Sequence, residues 1–403
     1  MHLQIAWRNI WRNPKRTSVI LLAVIIGAWT MILFGALSRG MMESILINSL
    51  NTLTGHIQIQ KPEYRDDPVV ENRIHDPQPL QALLENDLPP DTQWAFRIEV
   101  GGIASNARNS KAISIIGIET DKEPELSFYG ENIIAGKELS QEDSHGIVIG
   151  KALADRFETK LGRKIVLMTQ GVDKETSSRA FRIKGIYRAE LEETEKRYVF
   201  ITLPAAQKLI GEADAVTNVC IKLPERDDIG AVAARIGDKL SADLSVRPWY
   251  DMLPLLKGYL GLFESFMFLW YLVVFVAMAF GLVNTMLMAV LERVREFGLL
   301  KALGMKPVWI VRGVLTEGFL LLLLGLAVGN LLGFCSVYLL SGGIDLAFLA
   351  KGSEYFGMGT LIVPQITGQD VTYINAVILV LGLIVCLYPA IKAGRVTPVE
   401  AMT

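Results

Sequence analysis

Four long apolar blocks constrain the fold of this chain more than any other feature of its sequence. None of them contains Asp, Glu, Lys or Arg, and each has the roughly 20 residues that a helix needs to cross a bilayer core. The blocks are residues 17–38, 265–291, 318–344 and 371–391. One block alone could be a buried core helix of a soluble protein. Four together predict a membrane protein with four transmembrane α-helices.

The first block is preceded by a basic arm, residues 1–16, which could be mistaken for the start of a secretory signal. Its apolar run is longer than a usual signal core, and "FGALSRG" offers no small-residue cleavage site, so we expect an uncleaved span. The arm itself is predicted to be an interfacial helix. Its apolar residues would enter the headgroup layer, and its basic residues would meet anionic lipid: Leu3, Trp7, Ile10 and Trp11, and Arg8, Arg12 and Lys15.

The charges on the connecting segments predict an orientation in the membrane. The N-terminal arm carries basic residues and no acid, and basic residues also dominate 292–312. In the long segment 39–264, acidic residues outnumber basic ones. Because Lys and Arg are enriched in cytoplasmic loops, both termini and the 292–312 connection are expected in the cytoplasm. The long segment would then be extracytoplasmic.

The long segment shows the pattern of a folded α+β domain inserted between the first two spans. Alternating or apolar runs predict strands at 56–60, 111–119, 146–150, 163–170, 178–187, 196–203 and 215–223. Helices are predicted at 151–162, 204–212 and 227–240, the last with Asp227 or Asp228 as its cap. The acidic run Glu190, Glu192, Glu193 and Glu195 is expected to be a solvated loop. Both ends of the domain can continue the neighbouring spans as helical stalks.

Sequence signatures of catalysis and of cofactor binding are not found. No nucleotide-binding loop, nucleophile elbow or zinc-protease motif occurs, and the four histidines have no paired spacing. The three cysteines, Cys220, Cys335 and Cys386, do not suggest a disulfide framework or a metal site. We therefore expect a non-enzymatic chain that binds no cofactor or nucleic acid.

Two features inside the third span point to helix packing and to a polar site. Gly325, Gly329 and Gly333 form a double G-x-x-x-G repeat, which lets helix backbones approach closely in lipid. Glu317 is a carboxylate inside the membrane and hence a candidate functional residue. Alternatively it simply reaches water or Arg312.

The segment "LERVREFGLLKALGMKP" (291–307) connects the second and third spans. Its charged residues exclude it from the hydrocarbon, yet its apolar residues recur at helical spacing and need a surface to pack on. Gly304 and the Lys306-Pro307 pair are expected to end the helix. The apolar stripe would pack on the membrane or on the chain's own helices, or occupy a groove of a partner.

Residues 284–333, with "ERVREFGLLKALGMKP" at their centre, resemble the signature region of FtsX-like, MacB-type ABC transporter permeases. The tail "YPAIKAGRVTPVEAM" (388–402) and the outer "GIVIGKALADRFETKLGRKIVLM" (146–168) resemble the same family. The order of spans and outer domain also matches, and the layout is nearest to the lipoprotein-releasing (LolC/LolE-like) permeases. In one subunit of those systems, the turn that corresponds to 170–179 is a long hook that grips a periplasmic carrier. The turn in this chain is short, so the chain would be the hookless partner or would have another substrate.

This resemblance implies a mechanotransmission permease in the bacterial inner membrane. Two permease copies, identical or paralogous, would sit on a cytoplasmic ABC ATPase dimer that binds ATP and Mg²⁺. The coupling helix that lodges in the ATPase would use Arg295, Glu296, Phe297, Leu300, Lys301 and Leu303. A lipid-substrate cavity between the stalks would be lined by Met41, Met42, Ile45, Leu46, Leu260, Phe263, Phe266 and Met267.

The leading function is extraction or export of lipoproteins or other lipidated or amphiphilic substrates, with a periplasmic carrier as partner. One alternative is a signalling scaffold whose ATP-driven movement activates a cell-wall hydrolase. Another is a drug or peptide efflux permease. The predicted segments are an interfacial helix (1–16), span one (17–38), the outer domain (39–264), span two (265–291), the coupling helix (292–309), span three (310–340), a short outer loop (341–370), span four (371–391) and a cytoplasmic tail (392–403).

Overall fold

A computed structural model describes residues 2–129, 132–189, 191–224, 229–345 and 361–397, with side chains from residue 7 onward. The chain divides into two compact units, which we call the helical unit and the sheet unit. Of the described residues, the helical unit comprises 2–43, 259–345 and 361–397, and the sheet unit comprises those within 44–258.

The described helices are α1 (His2–Arg12), α2 (Pro14–Ser49), α3 (Gln78–Asp87), α4 (Glu123–Leu126), α5 (Lys151–Arg156), α6 (Glu192–Arg197), α7 (Leu203–Ile210), α8 (Ile229–Gly237), α9 (Trp249–Met252), α10 (Pro254–Glu292), α11 (Val294–Ala302), α12 (Pro307–Leu339) and α13 (Gly368–Arg395). The described strands are β1 (Ile57–Gln60), β2 (Gln93–Ser105), β3 (Ser110–Ile118), β4 (Ile133–Gly136), β5 (Gly146–Gly150), β6 (Lys164–Gln170), β7 (Thr176–Tyr187), β8 (Tyr198–Thr202), β9 (Asn218–Lys222), β10 (Ser245–Pro248), β11 (Ile344–Asp345) and β12 (Leu361–Ile362).

Four of these helices, α2, α10, α12 and α13, are long and apolar enough to cross a membrane. They coincide with the four apolar blocks, and the α+β sheet unit lies in sequence between the first two, so the predicted fold class is confirmed. The helices are longer than the blocks, because a helix does not have to end where charged residues begin. Thus α2 continues past Ser38 to Ser49, and α10 begins at Pro254, ahead of Ser265.

Glycines set the close packing inside the helical unit. A Cβ atom added at Gly325 would lie 2.5 Å from Val24, and one at Gly329 would lie 2.7 Å from Ala28. The glycine repeat of α12 therefore faces α2 of the same chain, with Gly333 continuing the stripe against Ile32. Small residues permit this approach because they leave the neighbouring backbone room.

A pair of amides also joins α12 to α13. Asn330 Nδ2 donates to Asn375 Oδ1 at 2.9 Å, and Asn375 Nδ2 donates back to Asn330 Oδ1 at 3.2 Å. Each side chain thus satisfies the other in an apolar helix bundle, where an unpaired amide would be costly. The pair helps to fix the alignment of the two helices.

The sheet unit is built on one mixed sheet of ten strands. Its strand order is β10-β1-β9-β2-β3-β8-β5-β7-β4, with β6 pairing to β2 and β7 off this path. The β3–β8 and β5–β7 pairs are parallel, and the other pairs are antiparallel. Helices α5 and α7 pack with Ile115, Ile149 and Phe181 in one apolar cluster, whereas α3 and α8 pack in another with Ile57 and Ile221.

A buried ion pair fixes the segment that enters the sheet unit after α2. Arg97 of β2 and Glu123 of α4 are both at most 1% exposed, and their two hydrogen bonds measure 2.6 and 2.9 Å. Arg97 Nη1 also donates to the carbonyl of Leu53 at 2.6 Å. Leu53 has a φ of +68°, which is strained for a branched side chain and needs such support.

Several expectations about the outer domain require correction. Strand β2, the longest in the sheet, was not predicted at all. The acidic run is not simply a loop, because Glu192–Arg197 forms α6 and Glu195 is buried, accepting from the amides of Ala152 and Ala189 at 2.8 and 3.0 Å. The suggested caps Asp227 and Asp228, and Glu190, lie outside the described residues. The predicted helix at 151–162 is helical only over Lys151–Arg156.

Candidate coupling site between α10 and α12

The connection between α10 and α12 is a short helix, α11, with well-defined ends. At its C-terminus the Met305 amide donates to the Leu300 carbonyl at 3.0 Å, and the Gly304 amide donates to Lys301 at 2.9 Å. Gly304 has a φ of +92°, so this is a Schellman ending that glycine accommodates without strain. Lys306 is extended and Pro307 opens α12, as expected where proline occupies the first helical turn.

One face of α11 packs against the chain's own helices. Phe297 is 5% exposed and belongs to the core of the helical unit, with Leu300 packed at its edge. Lys301 Nζ donates to the carbonyls of Gly394 and Val396 at 2.9 and 2.7 Å, which ties α11 to the end of α13. Phe297, Leu300 and Lys301 were predicted to meet a partner protein, but they face inward in the single chain.

The opposite face of α11 is apolar and exposed. Leu299 is 63% exposed and Leu303 is 77% exposed, and Arg295 precedes them by one and two turns. We call Arg295, Leu299 and Leu303 the outer face of α11. Of these three residues, Arg295 and Leu303 were predicted to contact the ATPase, and Leu299 was not. Leu299 could have been found from the sequence, because residues 295, 299 and 303 have the i, i+4, i+8 spacing of one helix face.

Ionic contacts attach α1 to α11. Arg12 forms a salt bridge with Glu296, and Arg293 Nε donates to the same carboxylate at 3.0 Å. The hydrogen bond from Arg12, followed by that from Arg293, lowers the pKa of the Glu296 carboxyl below its ordinary value. Glu296 is therefore ionised and paired at neutral pH.

The position of α1 corrects part of the interfacial-helix prediction. Ile10 was expected to enter the headgroup layer, but it is 2% exposed and packs in the core of the helical unit. Its carbonyl accepts from the Thr17 hydroxyl at 2.5 Å, which is where the chain turns from α1 into α2. Trp7 and Trp11 are exposed and in edge contact with each other, as an interfacial role requires. Leu3 lies outside the described side chains.

Glu317 does not reach Arg312. Its carboxylate accepts from Arg293 at 2.9 and 3.0 Å and from Asn9 at 2.7 Å. Arg312 instead lies over the Trp309 ring at 5.2 Å. The sequence separation of Glu317 from Asn9 explains why no local pattern predicted these contacts.

The residues predicted to line a substrate cavity lie on two helices, four on α2 and four on α10. Met42, Ile45 and Met267 are buried within the chain, whereas Phe266 is 54% exposed. Met41, Leu46, Leu260 and Phe263 are half-buried. The structure also shows a small apolar crevice of about 110 Å³ that was not predicted, lined by α2, α10 and α13 at Met31, Phe268, Tyr271, Leu272, Phe275, Tyr373, Ile374, Val377 and Leu381.

The cysteines and the other metal-binding side chains form no centre in the described part of the chain. No group of three or more His, Cys, Asp or Glu residues is placed to hold a metal ion there. Cys220 is fully buried beside the Leu53 segment, and burial raises the pKa of its thiol. Such a thiol stays protonated and behaves as a small apolar residue.

Family models match both parts of this architecture. Residues 17–239 match the MacB-like periplasmic core domain, which covers more than half of the chain, and residues 268–398 match the FtsX-like permease C-terminal domain. The chain therefore belongs to this family, and the resemblance seen in the sequence is confirmed. It is an ABC transporter permease of the MacB, FtsX and Lol type.

Named relatives extend over most of the chain at low identity. The lipoprotein-releasing system transmembrane protein LolC of Xylella fastidiosa is 24% identical, covering 82% of this chain and 81% of that protein. LolE of Haemophilus influenzae is 21% identical, covering 99% and 98%. The pyoverdine export ATP-binding/permease protein PvdT of Pseudomonas entomophila is 23% identical, covering all of this chain and 59% of that protein.

Proposed function

We propose that the outer face of α11 docks into a cytoplasmic ATPase of the ABC class. The observation that carries this proposal is a nine-residue helix held on one face by Phe297 and Lys301 while Leu299 and Leu303 remain exposed. Exposed leucines on a helix that is fixed from behind need a groove to cover them. The basic charges of the segment favour the cytoplasmic side of the membrane, so the groove that covers α11 would belong to a cytoplasmic protein.

Replacing both Leu299 and Leu303 with Asp should abolish recovery of the ATPase with the tagged permease. Two buried carboxylates without partners would make docking unfavourable, while the inward face of α11 would be undisturbed. The measurement is co-purification of the two proteins from membranes, with the amount of inserted permease quantified in parallel.

The matched control is Leu161→Asp, the same change at a 40% exposed leucine of the sheet unit. It should leave ATPase recovery unchanged. Normal recovery with the Leu299→Asp/Leu303→Asp variant would contradict the docking proposal. Phe297 is a poorer choice for this test, because a charge there would disturb the permease's own core.

For the transported substrate we propose lipoproteins or other lipidated, amphiphilic molecules, moved by two permease copies, identical or paralogous, on the ATPase dimer. Supporting this are the LolC and LolE relatives, which match most of their own length. Purified permease–ATPase complex in liposomes should release a triacylated lipoprotein only when ATP is supplied. A complex that hydrolyses ATP without releasing this probe would contradict the proposal.

A second candidate is export of a small amphiphilic molecule, which the similarity to PvdT favours. The same liposomes distinguish the two functions. Release of the lipoprotein supports the first, and ATP-dependent movement of a pyoverdine-type siderophore with the lipoprotein left in place supports the second.

A further inference from the structure

Glu317 of α12 joins α1 and the junction between α10 and α11 at one carboxylate. It lies on α12 and is 9% exposed. Oε1 accepts from Asn9 of α1 at 2.7 Å, and both oxygens accept from Arg293 at 2.9 and 3.0 Å. A carboxylate so far removed from water is unfavourable without such partners, so its contacts are held strongly.

Arg293 connects Glu317 to α11. It is the residue between the end of α10 and the start of α11, with non-helical φ and ψ of −108° and 13°. Its Nε donates to Glu296 of α11 at 3.0 Å, and its guanidinium lies over the Phe297 ring at 5.2 Å. The planar fork of arginine allows it to hold two carboxylates and a ring at once.

We propose that Glu317 is a positioning residue for coupling, which fixes the angle of α11 relative to α12 through Arg293. The proposal rests on the docking of α11 described above. Movement of the ATPase then reaches α12 through a defined ion pair, in addition to the packing of Phe297. Without the Glu317–Arg293 ion pair, α11 stays attached to the helical unit, but it samples a range of angles relative to α12.

The test uses the full chain in lipid nanodiscs, with nitroxides at Ala302→Cys on α11 and Leu323→Cys on α12, both exposed positions. The exposed Cys335 is replaced by Ser throughout. In the otherwise unchanged protein, with labelled chains diluted by unlabelled ones, pulsed electron paramagnetic resonance should give one narrow distance within the chain. Glu317→Gln, which keeps the shape and the Asn9 hydrogen bond but removes the charge, should lose that narrow distance and give a broad distribution.

Glu292→Gln is the matched control. Glu292 lies at the end of α10 and its side chain is 50% exposed. Its carboxylate accepts hydrogen bonds from Arg16 and from Asn13, each at 3.1 Å. This variant should keep the narrow distance. If Glu317→Gln also keeps it, even with a lowered thermal midpoint, Glu317 only stabilises the bundle and the proposal is overturned. Should Glu317→Gln not fold, Arg293→Gln tests the same pair from the other side, with the same expected broadening.

A second readout separates this proposal from the docking proposal. Glu317→Gln should still recover the ATPase, but it should release less lipoprotein probe per ATP hydrolysed. Unchanged release per ATP overturns the positioning role. The two proposals can also fail separately. If the Leu299→Asp/Leu303→Asp variant still recovers the ATPase, the docking proposal is contradicted. If the distance nevertheless broadens in Glu317→Gln, the positioning of α11 by Glu317 stands.

Discussion

Arg97 shows how one residue can decide the stability of the sheet unit. It is 1% exposed, pairs with Glu123 and holds the carbonyl of the strained Leu53. Its three guanidinium nitrogens donate to three different acceptor atoms, so a single side chain makes three buried hydrogen bonds. The sequence gives no hint of this role, since an arginine in a strand is usually at the solvent face.

Arg97→Met should strongly destabilise the strands around it. The change leaves the Glu123 carboxylate buried without its cation and with only the Ser127 hydroxyl donating to it, a loss of about 3–5 kcal/mol. Hydrogen exchange of the β2 and β9 amides in the full chain measures this loss as reduced protection. The control is Arg108→Met, since Arg108 and Glu158 are 78% and 70% exposed and their pair is expected to contribute about 0–1 kcal/mol. Equal protection in the two variants would contradict the assigned role of Arg97.

At the scale of elements, helices and strands with a regular pattern were predictable from the sequence, and irregular ones were not. Strands β3, β5 and β9 follow from their apolar runs. Strand β2 was missed although Phe96, Ile98 and Val100 alternate with charged residues, because the glycines at 101 and 102 interrupt that alternation midway along the strand. The interior position of Arg97 depends on Glu123, which comes from a separate element.

For α11, the sequence predicted the helix and its glycine ending but not its orientation. Two apolar faces alternate on it, one through Phe297 and Leu300 and one through Leu299 and Leu303. Only the tertiary contacts, including those of Lys301, show which face is turned inward. Helical periodicity alone cannot make that choice.

The α2–α12 contact gives a prediction at the same scale. Gly329→Val should lower the stability of the helical unit by about 1–3 kcal/mol, because the added carbons would meet Ala28 and the backbone of Ile25. Gly313→Val on the same helix is the control, since a Cβ there has no neighbour within 4 Å. Thermal unfolding in detergent measures both. A midpoint for Gly329→Val at or above that of Gly313→Val would contradict close packing at this point.

For the whole molecule, the predicted order of spans and outer domain corresponds to the two units, because hydropathy and charge are properties of long segments. The proposed substrate path would depend on a second permease copy and stays a prediction. Its residues Phe266 and Met267 differ sharply in exposure, at 54% and 9%. Phe266 is thus the better probe of anything that approaches α10 from outside the chain.

A photo-crosslinking amino acid at Phe266 should capture the lipoprotein probe before ATP is added and lose it afterwards. The reason is that an apolar cavity at the stalks would hold acyl chains until ATP binding closes it. Val380 on α13, which is 55% exposed, is the control for nonspecific contact with lipid. Equal labelling at the two positions would exclude a substrate site at Phe266.

Strands β6 and β7 are joined by a turn of only five residues, 171–175. The ends of a turn are fixed by the strands, so lengthening it adds only a small closure entropy, about 0.6 kcal/mol for each doubling. Insertions at the exposed tip of this turn, residues 173–175, are therefore nearly neutral for the fold. In evolutionary terms, a descendant of this chain could gain a new recognition arm here without altering the sheet, and an engineered one could carry a transplanted binding loop at the same place.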